Sequence, residues 1–370
     1  MDSRFEQVNA VAEEALDLPE AEREGFLAGR CGLDEALRAS VERLLEMADC
    51  PDGFLEREPG PLGEIRPGDV LGGRFLVREE LGAGGIGAVY LAEDRELGEV
   101  ALKVLHPELR ACPAAMERFR AEVRAGRAVR HPNVGAVYDL FVWEDGRGGS
   151  MAAATMQPLR GETLARRLAR GAVAADEAMA IASGIARGID ALHAAGIVHG
   201  DLKPDNILLT GGEGGAVPVI LDFGLASRPG AGEAAASISG SPEYMAPEQF
   251  RGEPVGAAAD LYAFGLLLFE MAAGARPFPA EELLPAVVRR TTTEAPRLRE
   301  IAPSAPRAWE GPIARALARD PGKRPASATQ LIHEMVRQSA GGERRTVRAD
   351  RRCSHRARWV VAVHRRRGRA

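Results

Sequence analysis

The spacing of apolar residues divides the chain into segments of different character. Between residues 5 and 47 they recur at three- and four-residue steps, which predicts two or three amphipathic helices broken near residues 17–20 and 31–34. Residues 51–67 hold four prolines and three glycines among charges, a composition typical of a linker. We therefore expect an acidic helical segment over 1–50, a linker over 51–71, a large folded domain over 72–338 and a tail over 339–370.

In the large domain the predicted strands come mostly first and the predicted helices follow. Alternation of apolar and polar positions predicts strands, with one helix among them, and three- to four-residue spacing predicts the later helices. Asp176 is expected to cap the helix at 176–195. The predicted strands lie at 74–77, 81–91 (two strands around a glycine turn), 99–105, 137–142, 150–157, 207–209 and 219–221; the predicted helices lie at 113–129, 176–195, 257–273, 280–290, 308–319 and 327–339.

Polar chemistry is concentrated in residues 199–206, which read His-Gly-Asp-Leu-Lys-Pro-Asp-Asn. Asp201 is followed by an ammonium group two residues on, at Lys203, and by an amide five residues on, at Asn206. A carboxylate in this company suits one task, the reception of a hydroxyl proton beside a metal-bound phosphate. We interpret the stretch as the catalytic loop of a phosphotransferase.

The glycine turn is a second candidate site, since glycines allow the backbone to approach phosphate oxygens closely. The same Gly-x-Gly-x-x-Gly spacing also opens a dinucleotide-binding unit, but there a helix follows the last glycine, whereas residues 88–91 continue as a strand. The candidate nucleotide-binding residues at this turn are Leu81, Gly82, Ala83, Gly84, Gly85, Ile86, Gly87 and Val89.

Lys103 stands alone in an apolar strand, where a buried ammonium needs an acidic partner or an anion. The helix at 113–129 offers two acids for this role, Glu117 and Glu122. Farther along, Asp222 ends a strand in a run of Asp-Phe-Gly, 21 residues after Asp201.

Together these segments resemble the catalytic domain of bacterial Ser/Thr protein kinases of the Hanks type, over about Gly72 to Arg337. The catalytic loop matches H-R-D-L-K-P-x-N except that Gly200 replaces the Arg, and residues 100–103 resemble V-A-I-K. Residues 240–248 resemble G-T-x-x-Y-x-A-P-E, with Ser241 in the Thr position. The resemblance implies an α+β, two-lobed kinase fold, in which a small antiparallel sheet lobe with one helix precedes a larger helical lobe.

The resemblance also assigns roles. Asp201 would accept the hydroxyl proton, Lys203 would neutralise charge on the γ-phosphate, and Lys103 would position the phosphates of ATP. The setting of Glu122 matches the family's helix C, so it is preferred over Glu117 as the partner of Lys103. Asn206 and Asp222 would be the Mg²⁺ ligands.

Counting back from residues 161–164 locates the expected adenine site. Met156 falls at the gatekeeper position, Gln157 where a Glu is common, and Leu159 on the hinge backbone. Ala101 and Leu208 complete the expected ATP-binding set. The preceding strand is rich in alanine, from which we expect loose packing and weakened nucleotide affinity.

Other residues are expected to support the site. Ser241 would bond near Asp201 and Lys203, Glu248 would pair with Arg324, and Asp260 would anchor the backbone of the catalytic loop. Two serines, Ser237 and Ser239, are candidate phosphorylation sites. Because an Arg at position 200 would normally meet such a phosphate, we expect activity to depend little on it.

Composition limits the partners. A net charge of −5 with 45% apolar and 27% charged residues describes an ordinary protein with no overall attraction to nucleic acid. Residues 343–370 carry 11 Arg and 2 acids, so this tail is expected to be disordered and to bind anionic lipid or nucleic acid at most weakly. The acidic helices of 1–50 are either a solvated extension or an interaction or autoinhibitory module. Four scattered cysteines, and the lack of a signal or membrane-span pattern, predict a cytoplasmic location.

Two functions fit the sequence. The first is ATP-dependent phosphorylation of Ser or Thr hydroxyls on proteins. The second is a pseudokinase, a kinase fold that serves as a nucleotide-sensing scaffold or binding module, which the alanine-rich hinge strand favours.

Overall fold

The computed structural model describes most of residues 65–339 and parts of the N-terminal segment. The described ranges are 65–84, 87–110, 113–144, 150–211, 215–222, 242–251, 253–278 and 289–339, together with 18–32 and positions 11, 14, 15, 34, 37, 38, 41, 42 and 45. The predicted serines Ser237, Ser239 and Ser241, the loop residues Gly85 and Ile86, and the basic tail lie outside the described residues.

The N-terminal segment contains helix α1, Glu20–Cys31, which is flanked by Pro19 and Gly32 as its caps. Both limits fall where the sequence predicts helix breaks. Seven buried residues form a small apolar cluster here, separate from the clusters of the large domain. They are Val11, Ala15, Leu27, Cys31, Leu37, Val41 and Leu45.

Six antiparallel strands form the sheet of the first lobe, in the order β1-β2-β3-β4-β6-β5. Two helices, α2 and α3, lie between β4 and β5 in the chain. The strands and helices are β1 Val70–Leu71, β2 Phe75–Gly84, β3 Gly87–Asp94, β4 Gly98–Leu105, α2 Pro107–Arg110, α3 Pro113–Ala128, β5 Val137–Glu144 and β6 Ser150–Met156.

Strand β1 precedes Gly72, the residue at which the sequence places the start of the large domain. Val70 pairs with Leu76 of β2, and Ile65 and Leu71 pack against the buried cluster of the sheet. Gly72 and Gly73 belong to the turn that joins β1 to β2. A glycine pair indicates a change of direction in the chain, and here that change lies inside the sheet rather than in front of it.

The two faces of the sheet have different neighbours, as the alternation of strand residues requires. On one face Val100, Leu102 and Val104 of β4 join a buried cluster with residues of β2 and β3. The alanines of β6 serve both faces: Ala153 belongs to this cluster, and Ala152 and Ala154 belong to the larger core. All three are at most 2% exposed, so the strand expected to pack loosely is enclosed on both sides.

The second lobe consists of helices and a small three-stranded sheet, β7-β8-β9. Its centre is formed by the apolar helix α7, Ala257–Ala273, which is followed by Gly274 as its C-cap, and by the long helix α5, Ala175–Ala194. Residues 289–292 and 328–339 are also helical. The remaining bounds are β7 Gly161–Thr163, α4 Leu164–Leu168, α5 Ala175–Ala194, β8 Ile207–Thr210, β9 Val217–Ile220, α6 Pro247–Phe250, α7 Ala257–Ala273, α8 Leu298–Ile301 and α9 Arg307–Ala316.

Two details of the helices differ from expectation. Asp176 does not cap α5, because the helix begins one residue earlier and Ala174, at the cap position, has no side chain to bond the first turn. Asp176 instead lies in that first turn, where a negative charge is favourable to the helix dipole. Helix α9 ends at Ala316 rather than at Arg319, whose guanidinium turns away to bind the carbonyls of Thr291 and Thr292.

Candidate active site

Lys103 is the buried cation between the two lobes. Its Nζ donates to Glu122 Oε1 at 2.7 Å and to Asp222 Oδ1 at 2.6 Å. The lysine and Glu122 side chains are 8% and 7% exposed, whereas the Asp222 side chain is 43% exposed. One ammonium group therefore connects β4, helix α3 and the residue that follows β9 by two positions.

The charges of this triad stabilise one another. Burial would lower the pKa of Lys103, but attraction to Asp222 and Glu122 outweighs it and raises the pKa above the ordinary value. Desolvation opposes ionisation of Asp222, yet attraction to Lys103 keeps its pKa low. At Glu122, which shares the lysine with Asp222, burial prevails and the pKa is raised. Lys103 and Asp222 are therefore charged at neutral pH.

Glu117, the other acid considered for Lys103, belongs to the outer face of α3. Its carboxylate binds Arg124 at 2.5 Å and lies 3.7 Å from Arg120, and 60% of the side chain is exposed. The helix therefore directs Glu122, and not Glu117, towards the lysine.

Asp222 has φ 53°, and it is the only residue other than glycine with positive φ among those described. This conformation is uncommon for a side chain with a Cβ and is held by its surroundings. The preceding Leu221 donates its N–H to the carbonyl of Asn206 at 2.8 Å. The strained turn is therefore fixed to the catalytic loop at its start and to Lys103 at its carboxylate.

The catalytic loop brings Asp201, Lys203 and Asn206 together. Asn206 Nδ2 donates to the carbonyl of Asp201 at 2.8 Å and to its Oδ2 at 3.3 Å. Lys203 Nζ lies 3.7 Å from the same Oδ2. Because the nitrogen of the Asn206 amide donates to Asp201, its oxygen is the end that remains as a ligand for a cation.

Asp260 of α7 holds the backbone at the start of the catalytic loop. Its carboxylate, 1% exposed, accepts the backbone N–H of His199 and of Gly200, both at 2.9 Å. It also accepts from His193 Nε2 at 2.7 Å. Three hydrogen-bond donors thus satisfy the Asp260 carboxylate, whose burial without partners would be unfavourable in free energy.

His199 joins the loop to the strand before Asp222. Its ring, with the residue fully buried, places Nε2 3.0 Å from the carbonyl of Leu221, which can only accept. Nε2 must therefore carry the proton, which leaves Nδ1 to accept the Asp201 N–H at 3.3 Å. His199 is structural in this arrangement.

Gly200, at the position expected to hold Arg, has φ 77°, a conformation that glycine adopts without strain. Its carbonyl accepts from Gln249 Nε2 at 3.1 Å. Neither the resemblance nor the spacing of residues points to Gln249, because an amide that follows a helix start has no distinctive pattern.

The positions of the predicted phosphate loop hold glycine for different physical reasons. At Gly82 and Gly84 an added Cβ would meet nothing within 4 Å, so these residues border open space. At Gly87 it would lie 1.9 Å from the carbonyl of Val104 on β4. The third glycine is therefore required by close packing of the sheet, rather than by approach to a phosphate.

Residues expected around adenine lie on neighbouring strands. Val89 is opposite Lys103, and Ala101 is opposite Met156, so all four share the face of the sheet on which Lys103 lies. Leu208 pairs with Thr163 in the small sheet of the other lobe. Four of the residues expected to bind ATP are partly exposed: Val89, Met156, Leu159 and Leu208. Three others are exposed: Leu81, Ala83 and Gln157.

Two buried arginines bind residues 242–248 of the helical lobe. Arg324 binds Glu248 in a bidentate pair at 2.5 and 2.7 Å, as expected. Arg290, which the sequence reading missed, binds the carbonyls of Pro242, Glu243 and Met245. Backbone acceptors leave no trace in a sequence, so nothing in the pattern around Arg290 indicates them.

Comparison with known proteins agrees with this geometry. The family model described as "Protein kinase domain" matches residues 75–344. The chain belongs to the protein kinase family. The membership and the two-lobed α+β fold expected from the motifs are thereby confirmed.

Curated relatives of this kinase include bacterial Ser/Thr kinases. The chain is 37% identical over 277 residues to Serine/threonine-protein kinase pkn2 of Myxococcus xanthus, covering 72% of this chain and 32% of the relative. It is 36% identical over 314 residues to Pkn1 of the same organism, covering 81% and 43%. To PksC of Streptomyces coelicolor it is 34% identical over 298 residues, covering 76% and 52%. The chain spans about a third to a half of these relatives' length. In its described part no helix is long and apolar enough to cross a membrane.

Proposed function

We propose that this kinase transfers the γ-phosphoryl group of ATP to Ser or Thr hydroxyls of proteins, and that it is of the type without the catalytic-loop Arg. The observation that carries the proposal is the double contact of Lys103 with Glu122 and Asp222. In the catalytic loop, Asn206 holds Asp201 through a hydrogen bond to its carbonyl. The names of its relatives agree with Ser/Thr specificity.

The residues fit Mg²⁺ and ATP. Mg²⁺ prefers a few hard oxygen ligands and keeps water and phosphate oxygens as the others. Asp222 offers a half-exposed carboxylate of low pKa, and Asn206 offers an amide oxygen. The open space beside Gly82 and Gly84 suits the phosphates. When bound, Mg²⁺-ATP supplies the phosphoryl group and a counter-charge for it.

The chain's own part is positioning and electrostatics. Lys103, kept charged by two carboxylates, orients the phosphates, and Glu122 holds the lysine. Asp201 accepts the proton of the substrate hydroxyl at its Oδ2, to which Asn206 donates. Lys203, 3.7 Å from that oxygen, neutralises charge on the transferred group.

The experiment that tests this function is the substitution Asp201→Asn. We expect phosphate transfer from radiolabelled ATP to a generic basic protein to fall below detection, while the thermal shift produced by Mg²⁺-ATP is kept. Asp176→Asn makes the same change at an exposed site on α5 and serves as the control. Undiminished transfer by Asp201→Asn would refute the assignment.

A pseudokinase scaffold is the alternative. Its best support was the alanine-rich β6, and the burial of Ala152, Ala153 and Ala154 weakens that support. A thermal shift with Mg²⁺-ATP but no transfer to any protein by the unaltered chain would favour the scaffold. A partner for the acidic N-terminal helices, weak lipid contact by the basic tail and a cytoplasmic location remain predictions from the sequence.

A further inference from the structure

Arg290 is a buried cation that the catalytic cluster does not use. It lies in helical residues 289–292 and is only 2% exposed. Its bonds within the described ranges include no ion pair with a carboxylate, and desolvation lowers the pKa of its guanidinium. A buried charge is unfavourable unless hydrogen bonds replace its water, so the acceptors of Arg290 indicate its role.

The acceptors are carbonyls of one short stretch, residues 242–245. Nη1 donates to Pro242 at 2.5 Å and to Met245 at 3.1 Å, and Nη2 donates to Glu243 at 2.7 Å. Nε is buried without an acceptor in the described part of the chain. The guanidinium is therefore oriented towards this stretch at the expense of its own complete hydrogen bonding.

Arg290 is itself held firmly. Its Cζ lies 5.8 Å from the ring centres of both Phe250 and Phe278, within the range of a cation–π contact. The carbonyls of the next two residues, Thr291 and Thr292, accept from Arg319 Nη1. The cation is thus a fixed support rather than a mobile surface arginine.

Two other anchors follow the stretch that Arg290 supports. On the C-terminal side Glu248 is bound to Arg324, and Gln249 bonds both the N–H of Ala246 and the carbonyl of Gly200. Displacement of residues 242–245 would therefore disturb the surface beside the catalytic loop. Among the described residues, none of the hydrogen bonds of 242–245 reaches Lys103 or its two carboxylates.

We propose that Arg290 is a positioning residue that sets residues 242–245 as the docking surface for the substrate peptide, and so controls peptide affinity without affecting nucleotide binding. The proposal rests on the proposed kinase function. If Arg290 only filled space in the core, its hydrogen-bond donors would have no role. A methionine of similar length would then replace it without changing peptide affinity.

Hydrogen–deuterium exchange tests the positioning without any need for activity. In the full chain carrying Arg290→Met, we expect the amides of residues 242–251 to exchange about tenfold faster or more, since their supporting bonds are lost. The amides of α7 should keep their protection. Arg289→Met, at the exposed neighbouring position, is the control. Unchanged exchange in 242–251 would overturn the proposal.

Kinetics test the consequence. With a serine peptide chosen from a degenerate library, Arg290→Met should raise the peptide KM about tenfold, with the ATP KM and the peptide-independent hydrolysis of ATP unchanged. An equal loss in all three, or an unchanged peptide KM, would contradict it. Arg290→Lys keeps the positive charge but lacks the two Nη donors of the guanidinium. The same measurements on this variant decide the question if the methionine variant does not fold. If the unaltered chain phosphorylates no peptide, the proposed function fails, and exchange alone still decides the role of Arg290.

Discussion

The side-chain amide of Gln249 donates a hydrogen bond of 3.1 Å to the backbone carbonyl of Gly200 and accepts one of 2.8 Å from the N–H of Ala246. A neutral side chain therefore connects the catalytic loop to the segment that precedes α6. In the kinases that this chain resembles, an Arg stands where this chain has Gly200. That Arg would make the connection through a phosphate on the activation segment. We infer that Gln249 connects the two segments here without a phosphate.

Gln249→Leu should reduce peptide phosphorylation. The substitution keeps most of the side chain's volume but removes both hydrogen bonds, so we expect kcat/KM for a peptide to fall on the order of tenfold. Gln330→Leu, at an exposed position of the last described helix, is the matched control and should be silent. Equal rates for the two variants in a steady-state assay would contradict the inference.

Activity should depend little on phosphorylation of the activation segment. A chain carrying Ser237→Ala and Ser239→Ala should phosphorylate the same peptide at a rate within about twofold of the parent, because Gly200 has no side chain to bind a phosphate. Mass spectrometry of the purified parent shows whether the two serines carry phosphate. A collapse of the rate in the double variant would show the prediction wrong.

Glu122 and Glu117 provide an internal comparison on one helix. Glu122→Gln removes a charge from the buried cluster of Lys103, so we expect kcat to fall by about 100-fold through misplacement of the phosphates. Glu117→Gln changes only exposed pairs with Arg124 and Arg120 and should leave kcat unchanged. Comparable losses in both variants would mean that helix α3 is affected as a whole and that Lys103 has no special partner.

Much of the candidate site could be predicted because its residues occur in local patterns. Lys103 in an apolar strand demands an acid, and Asp201, Lys203 and Asn206 follow one another within one loop. Long-range contacts to the backbone are different. Every residue offers a carbonyl, so the sequence does not indicate which carbonyls a buried donor such as Arg290 will find.

Two boundaries depend on contacts that the local pattern does not show. The linker is expected to extend to residue 71, whereas Val70 and Leu71 pair with β2 across the turn at Gly72 and Gly73, because glycine marks any reversal of the chain, including one within a sheet. The length of α9 was overestimated because the positions after Ala316 keep a helical pattern, whereas Arg319 makes its contacts elsewhere in the lobe. In both places tertiary contacts override the local preference.

Removal of Arg324 should strongly destabilise the helical lobe. Its guanidinium and the Glu248 carboxylate are 0% and 3% exposed, so Arg324→Met leaves an uncompensated buried charge and should cost about 3–5 kcal/mol of unfolding free energy. Urea unfolding monitored by circular dichroism measures the change. Arg170→Met, which breaks the exposed pair with Glu162, should have little effect. A loss as large at the exposed pair would argue against the desolvation explanation.

The sheet lobe should lose stability in acid through Asp94, whose side chain is inaccessible to solvent. Two hydrogen bonds from Arg74, at 2.8 and 2.7 Å, hold the pKa of this carboxyl below its ordinary value although burial opposes them. The stabilisation is therefore complete above the unfolded-state pKa of about 3.9 and is lost as the pH falls through the lower folded-state value.

Comparison of the parent with Asp94→Asn across pH isolates this contribution. We expect the urea midpoint of the parent to exceed that of the variant by a constant amount from pH 7 to pH 5. The difference should shrink below about pH 4, as the parent's carboxylate takes up a proton. Fluorescence of Trp143, which packs against the cluster of the sheet, reports on this lobe when both proteins also carry Trp309→Phe and Trp359→Phe. A difference that persisted or grew as the pH fell would mean that the ionised Asp94 is not what stabilises the sheet.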